Sequence, residues 1–386
     1  MDKTKRRILI SLLIVNFSLR PGLTGLGSLM KMIRPDMGLN QTQAGLLTTI
    51  PMLTFALFSP LTWRINGRIG TTKTVCCAFA SIIMGILIRS YGGIVGLYGG
   101  TVLIGIGIAF GNVLIPAMIK SQFPENFGFV TALSSAMLAI ASGIASGINT
   151  PLANAGLGWR GALCVWAGLA FFAAVVWVIG GRDVNMKTRS AVGLSQELLH
   201  NRIAWSVTLF LGLVALLFYS CTSWLSTIFQ FKGLSMEKAG FYVSAFQMTG
   251  IVSSFLVPML AGLRKDQRAV TYGVVGIFFT GILLMALTTS PTLLLISAFL
   301  AGIGCNGAFA LSMAFIGFRA KNGESAAELS SMSKSLGSVI AAAGPLGMGW
   351  INSIAGENWN VNLYLICAVL ILLFIVSTIC AKDHTI

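Results

Sequence analysis

The chain carries, just after a short basic tail, an apolar run at Ile8–Met30 that reads ILISLLIVNFSLRPGLTGLGSLM. A transmembrane α-helix needs about 20 predominantly apolar residues, and this run is long enough to form one. The run is too long for a signal peptide and lacks a small-residue cleavage site, so we expect it to be retained. It therefore predicts a first membrane-spanning helix.

Arg20 lies in the middle of this run. At about 1.5 Å per residue, it lies roughly 18 Å beyond the basic tail, inside a hydrocarbon layer ~30 Å thick. A guanidinium stays charged at that depth and costs at least ~2.5–3.5 kcal/mol to insert. Two interpretations stay open: Arg20 binds a ligand in a cavity, or it donates to carbonyls that a helix break at Pro21 and Gly22 leaves exposed.

Eleven further apolar runs follow the first. With 55% hydrophobic and only 10% charged residues and a mean hydropathy of +0.85, the chain is not a soluble globular protein, in which about 25% of residues are charged. We predict an all-α membrane protein with twelve transmembrane helices and connections too short for an extramembrane domain. The predicted spans are 8–30, 42–63, 74–92, 95–118, 128–151, 160–181, 204–229, 239–262, 270–289, 291–317, 326–350 and 361–380.

The chain has a net charge of +15, and its basic residues are distributed unevenly between the two sides of the predicted membrane. Eighteen of the 26 Lys and Arg residues lie in the tails and even-numbered connections, six lie in the odd-numbered connections, and Arg20 and Lys334 lie inside spans. Basic residues accumulate on the cytoplasmic side of membrane proteins, so both termini are predicted to be cytoplasmic. The basic excess is thus a topology signal, and we expect no nucleic acid partner.

The chain repeats short sequences at a displacement of nearly 200 residues. Gly105-Ile-Gly107 matches Gly302-Ile-Gly304, and Leu133-Ser-Ser135 matches Leu329-Ser-Ser331. The repeat predicts an N-terminal six-helix half at 1–181, a cytoplasmic linker at 182–203 and a C-terminal six-helix half at 204–386. In transporters built from two such parallel repeats, the substrate site lies between the halves near the membrane midplane.

Several local sequences resemble the cyanate permease/2-nitroimidazole transporter (CynX/NimT-type) family of the major facilitator superfamily, and they cover essentially the whole chain. The resemblance implies the major facilitator fold and a carrier of small solutes, with a substrate that varies within the family. The matching stretches are Ser18-Leu-Arg-Pro-Gly-Leu-Thr24, Ala44-Gly-Leu-Leu-Thr-Thr-Ile-Pro51, Gly107-Ile-Ala-Phe-Gly-Asn-Val-Leu-Ile-Pro-Ala-Met-Ile-Lys120, Gly158-Trp-Arg160, Phe218-Tyr219, Trp224-Leu225 and Gly344-Pro345.

The acidic residues narrow the class of substrate. None of the eleven Asp and Glu residues lies deep in a predicted span, whereas the cations Arg20 and Lys334 do. A bound anion at 4 Å contributes ~4 kcal/mol at an effective dielectric of about 20, which exceeds the insertion cost of one Arg. The charge pattern therefore predicts an anionic or electron-rich substrate.

Polar side chains inside the spans are the candidate substrate ligands. Four of them have a named alternative role: Asn112 can hydrogen-bond between helices, Tyr219 and Trp224 can anchor the membrane interface, and Lys334 can extend to the surface or reach Glu328. Glycines in the fourth span predict close helix packing. The predicted substrate-binding residues are Arg20, Thr24, Asn112, Tyr219, Trp224, Gln247 and Lys334.

We therefore predict a secondary active transporter that moves a small anionic or electron-rich solute by alternating access. The alternative within this fold is a multidrug efflux carrier with a broad apolar cavity. The sequence contains no catalytic constellation, so we expect no enzyme activity, cofactor or metal site. We expect a monomeric multi-pass protein of a bacterial cell membrane, with the lipid bilayer and a small anionic molecule as its partners.

Overall fold

A computed structural model describes residues 3–123, 125–182, 184, 198, 200–321 and 323–382. These residues are almost entirely helical, with a five-residue π-helical segment at Ala153–Leu157. The α-helices are α1 (Lys3–Leu19), α2 (Pro21–Thr24), α3 (Leu26–Met37), α4 (Gln41–Ile69), α5 (Thr71–Tyr91), α6 (Gly93–Gln122), α7 (Phe127–Leu152), α8 (Gly158–Gly180), α9 (Arg202–Phe231), α10 (Met236–Gly262), α11 (Arg268–Leu287), α12 (Pro291–Arg319), α13 (Gly323–Ile354) and α14 (Trp359–Cys380).

Ten helical stretches in the described part of the chain are long and apolar enough to cross a membrane. One of them, Phe129–Gly180, contains most of α7 and all of α8 and so corresponds to two of the predicted spans. The predicted span at 326–350 lies within α13, which is 32 residues long. The all-helical membrane fold predicted from the sequence is thereby confirmed, and the cytoplasmic position of the termini stays a prediction.

The outer faces of the helices are apolar. On α8, Phe171 is 63% and Ile179 is 57% exposed, and on α14, Ile371 and Ile375 are similarly exposed. Soluble proteins rarely expose such contiguous apolar surface, whereas lipid tails solvate it. This surface is what a helix bundle in a bilayer requires.

The chain divides into two compact units. The first comprises residues 1–39 and 50–191, and the second comprises 40–49 and 192–386. The second unit includes the first turns of α4, where Thr49 Oγ1 donates to the carbonyl of Ala342 on α13 at 3.0 Å. The predicted halves at 1–181 and 204–386 stay a prediction, and most of the predicted linker at 182–203 lies outside the described residues.

The repeated glycines occupy similar positions in the two units. A Cβ on Gly105 of α6 would collide with Thr54 of α4, and a Cβ on Gly302 of α12 would collide with the backbone of Phe246 on α10. In both units, therefore, a glycine allows two helices to approach closely. The packing role predicted for the glycines of the fourth span is confirmed at Gly105.

Candidate functional site

The first membrane span is broken around Arg20. Pro21 has no backbone N–H and its ring cannot continue a regular helix, so α1 ends at Leu19 and the chain resumes as α2. Arg20 lies between the two helices, with φ −88° and ψ −40°. Its side chain is half-buried. The structure thus places Arg20 at the break predicted from Pro21.

Thr24 is 1% exposed and lies on the same short helix as Pro21. Its Oγ1 donates to the carbonyl of Arg20 at 3.1 Å, and that carbonyl also accepts from the backbone N–H of Leu23 and of Thr24. The hydroxyl proton of Thr24 is therefore used within the break. An oxygen lone pair remains available to a donor group on a solute.

Side chains from other helices hydrogen-bond to the carbonyls at the break. Arg89 Nη1 on α5 donates to the carbonyl of Gly22 at 2.7 Å, and Asn149 Nδ2 on α7 donates to the carbonyl of Gly25 at 2.8 Å. The indole N–H of Trp166 in turn donates to Asn149 Oδ1 at 2.8 Å. These contacts fix the break to its neighbouring helices, because a helical carbonyl without a partner is costly in the membrane.

The burial of Arg89 is not evident from the sequence. Arg89 is one of the six cations counted with the odd-numbered connections, although it lies near the end of the predicted span 74–92. The structure buries its side chain to 1% exposure near the end of α5. Its Nε and Nη2 are buried without a hydrogen-bond partner among the described residues. An arginine near a span end usually extends to the membrane surface, so no local pattern distinguishes this one.

Asn112 is half-buried on α6. The preceding Gly111 packs against the side chain of Leu19, the residue before Arg20, so α6 approaches the end of α1 here. No described residue forms a hydrogen bond with the side-chain amide of Asn112. Its alternative role as a hydrogen-bonding link between helices therefore has no support in the described part of the protein.

In the second unit, Tyr219 and Trp224 of α9 differ in their surroundings. Trp224 is 1% exposed, its indole N–H donates to the carbonyl of Pro345 at 2.9 Å, and its ring lies 4.9 Å from that of Trp359. Tyr219 is half-buried, and its ring meets Phe218 edge-to-face at 5.3 Å. Trp224 is thus held inside the unit, whereas Tyr219 keeps part of its surface accessible.

Gln247 of α10 is 1% exposed, and its Nε2 lies 3.3 Å from Thr222 Oγ1 of α9. Thr222 lies between Tyr219 and Trp224 in the chain, so the structure brings these predicted residues into one region of the unit. Asn306 was not among the predicted substrate-binding residues but lies nearby: its side-chain Nδ2 donates to the carbonyl of Phe246 at 3.1 Å. The repeat of glycines around Asn306 would have been the signal to consider it.

Lys334 of α13 has an exposed side chain. The adjacent Ser333 is fully buried, and its Oγ lies 3.1 Å from Thr208 Oγ1 of α9. The packed side of α13 thus contains Ser333, and Lys334 follows it on the more accessible side. Glu328, the alternative partner, has its side chain outside the described part of the structure.

The buried charges of the described residues have one sign. Arg89, Lys232 and Arg319 are buried, whereas no described Asp or Glu side chain is. Lys232 Nζ donates to the carbonyl of Ala286 at 2.8 Å, and Arg319 Nε donates to that of Cys380 at 2.8 Å. Arg319 lies just beyond the predicted span 291–317 and is one of the eighteen cations counted with the tails and even-numbered connections. Its burial arises from a tertiary contact, since Nη2 also donates to Gln267 Oε1.

Comparison with known proteins identifies the family. The Major Facilitator Superfamily profile matches residues 12–342. The chain is 35% identical to the 2-nitroimidazole transporter of Escherichia coli, over 98% of this chain and 96% of that protein. It is 34% identical to an uncharacterised transporter of Bacillus subtilis, over 95% and 91%. It is 24% identical to the cyanate transport protein of Escherichia coli, over 91% of each chain.

Solved structures agree on the fold. A crystal structure of a bacterial homologue of the human lysosomal transporter Spinster superposes with a TM-score of 0.74. That match covers 99% of this chain and 96% of the other, at 16% sequence identity. The relatives named above and this structural neighbour are transporters and not enzymes. The chain therefore belongs to the major facilitator superfamily, as a multi-pass cell-membrane transporter of the 2-nitroimidazole and cyanate transporter type.

Proposed function

We propose that this transporter moves a small anionic or electron-rich solute by alternating access. The observation that carries the proposal is the distribution of charge: Arg20 lies half-buried at a break in the first span, while no described carboxylate is buried. A carrier of cations would favour acidic side chains inside its spans. The solute class comprises cyanate-like anions, carboxylates and nitro-substituted compounds.

The names of similar proteins support this class. They include transporters of 2-nitroimidazole and cyanate, and a 4-hydroxybenzoate transporter of Acinetobacter baylyi that is 29% identical over 46% of this chain. These molecules are small, and each carries a nitro group, an anionic charge or a carboxylate. A planar guanidinium suits all three, because it can donate two parallel hydrogen bonds to the paired oxygens of a nitro group or a carboxylate, and its positive charge attracts the cyanate anion.

In the proposal, Arg20 is the principal charge ligand. An anion at 4 Å from it would contribute ~4 kcal/mol at an effective dielectric of about 20, against an insertion cost of at least ~2.5–3.5 kcal/mol for the guanidinium. Asn112 and Tyr219, both half-buried, would supply an amide and a hydroxyl. Lys334 would add a second cation.

Thr24, Gln247 and Trp224 have fewer hydrogen-bonding groups available for the solute. Each already donates to another group of the protein. Thr24 would accept a hydrogen bond from the solute, Gln247 would offer its carbonyl oxygen, and Trp224 would offer only its ring. We therefore expect substitution of these three residues to affect affinity less than substitution of Arg20.

The test compares ligands on the purified protein at fixed ionic strength. We expect cyanate, 4-hydroxybenzoate or 2-nitroimidazole to raise the melting temperature, and the lipophilic cation tetraphenylphosphonium to have no effect. Arg20→Gln should abolish the stabilisation, and Arg20→Lys should restore little of it, because an ammonium lacks the planar fork. Arg64→Gln, which removes an exposed arginine of α4, is the matched control and should behave like the wild type.

Uptake into proteoliposomes then measures transport of the ligand that stabilises best. If lipophilic cations stabilised the protein or were transported by it, and if Arg20→Gln and wild type behaved alike, the protein would be a multidrug carrier of the same fold. That result would reject the proposal. Uptake that needs Arg20 and discriminates among anions would support it.

A further inference from the structure

An open cavity of about 360 Å³ lies between the N-terminal part of α1 and the C-terminal part of α8. Three cationic side chains line it: Lys3, Arg6 and Arg7 of α1. The rest of the lining is largely apolar and includes Ile10 of α1 with Val176 and Ile179 of α8. The cavity belongs entirely to the first unit, and none of the predicted substrate residues lines it.

The base of this cavity is a fixed helix contact. Ser11 Oγ donates to the carbonyl of Arg7 at 3.0 Å and lies 3.5 Å from the carbonyl of Val176. Gly180 packs directly against Ser11, which lets α8 approach α1. The cations above this contact therefore project from a helix whose position is set by packing.

An apolar track leads away from the cavity along α8. Phe171, Val175 and Ile179 lie four residues apart, so they share one face of the helix, and they are 63%, 41% and 57% exposed. Ile10, at the mouth of the cavity, is 47% exposed. The surface thus combines a cationic end with an apolar strip, which matches the two parts of a phospholipid.

We propose that this cavity binds the headgroup of an anionic phospholipid, whose acyl chains lie along the exposed face of α8. Basic pockets between transmembrane helices near the membrane surface are suited to anionic headgroups. The sequence favours a net negative headgroup, because residues 1–7 carry four cations and one acid, Asp2. The ammonium of a zwitterionic lipid would be repelled by these cations.

Lys3 and Arg6 are the residues that test the proposal. Both side chains are exposed, and neither forms an ion pair with a described residue. The double substitution Lys3→Gln/Arg6→Gln removes one lysine and one arginine from the cavity. The matched control, Arg264→Gln/Lys265→Gln, removes the same charges from an exposed connection of the second unit.

Native mass spectrometry of the full-length protein measures the binding of phosphatidylglycerol and of phosphatidylcholine. We expect wild type and control to retain phosphatidylglycerol in preference to phosphatidylcholine. The Lys3→Gln/Arg6→Gln variant should bind phosphatidylglycerol about 25-fold more weakly, since each of the two cations near the surface contributes about fivefold. Melting temperatures with the same lipids provide a second measurement. Equal retention by the variant and the control would overturn the proposal.

A third arm separates a lipid site from an anion site. Inorganic phosphate at the same ionic strength should not raise the melting temperature of the wild type, because it lacks acyl chains to cover α8. Stabilisation by phosphate equal to that by phosphatidylglycerol would also contradict the proposal. Neither outcome depends on Arg20, so failure here leaves the proposed transport function unaffected.

Discussion

Arg89 Nη1 of α5 donates to the carbonyl of Gly22 at a distance of 2.7 Å, two residues beyond Arg20 in the broken first span. This bond joins a side chain that is 1% exposed to a backbone carbonyl at the break between α1 and α3. A carbonyl at a helix break must find a donor inside a membrane, because no water is available in the hydrocarbon layer. Arg89 is therefore a positioning residue for the segment that contains Arg20.

Arg89→Gln should lower the melting temperature of the purified protein. The amide is too short to reach Gly22 from the same backbone position, so a buried hydrogen bond is lost at a cost of about 1–3 kcal/mol. Arg89→Lys should retain most of the stability, because Arg89 uses only one nitrogen for this contact. A lysine variant as unstable as the glutamine variant would show that the contact is not what Arg89 contributes.

The control for Arg89 is Arg160→Gln. Arg160 also lies in the first unit and pairs with Asp36 at 2.9 Å, but their side chains are 39% and 44% exposed. Exposed ion pairs contribute about 0–1 kcal/mol. We expect Arg160→Gln to melt within a few degrees of the wild type, well above Arg89→Gln.

Substitutions of Tyr219 and Trp224 should have different effects on stability, although both residues lie on α9. Trp224→Phe removes the N–H that donates to Pro345, leaves a buried carbonyl without this donor, and should destabilise the protein by about 1–3 kcal/mol. Tyr219→Phe removes a hydroxyl that is bonded to no described residue, so its melting temperature should stay close to that of the wild type. If Tyr219 binds the solute, its phenylalanine variant loses ligand-induced stabilisation instead.

Gln267 should stabilise the second unit through its contact with Arg319. It is 5% exposed, and its Oε1 accepts from Nη2 of the buried Arg319. Gln267→Ala leaves the guanidinium with one acceptor fewer and should destabilise by about 1–3 kcal/mol, whereas Gln267→Glu keeps an acceptor and should be less harmful. Thermal melting of both variants checks this order, which fails if the alanine variant is the more stable of the two.

The connection before α11 should make stability depend on pH. The pKa of Asp266 is lowered to about 2, chiefly because Arg268 donates side-chain and backbone hydrogen bonds to its carboxylate. A lowered pKa in the folded state contributes stability above the unfolded value of about 3.9, and this contribution is lost as the pH falls toward 2. The effect is small, since the side chains of Arg268 and Asp266 are 41% and 44% exposed and their ion pair is screened by solvent.

Melting curves of wild type and Asp266→Asn between pH 7 and pH 3 measure this contribution. The difference in melting temperature should be constant above about pH 5 and should shrink below it, because the carboxylate of the unfolded wild type becomes protonated while that of the folded protein stays ionised. Arg264→Gln, in the same connection, should show a constant difference throughout. A wild-type advantage that grows at low pH would have the wrong sign for this mechanism.

The sequence by itself determined the helices and the break. A membrane helix satisfies its backbone hydrogen bonds within its own segment, so a sufficiently long apolar run is enough to specify it. Pro21 likewise acts locally, and the predicted discontinuity beside Arg20 is present as the gap between α1 and α2. The absence of deep acids in the sequence also agrees with the described residues, among which no carboxylate is buried.

Only the tertiary structure decided which cations are buried and which polar groups are already bonded. Arg89 and Arg319 lie near helix ends, where a long side chain can reach either water or the protein interior, and the carbonyls of Gly22 and Cys380 on other helices determine that they turn inward. In the same way, Trp224 differs from Tyr219 because Pro345 lies within reach of its indole. Such contacts join residues distant in sequence, and a local pattern does not record the distances between helices.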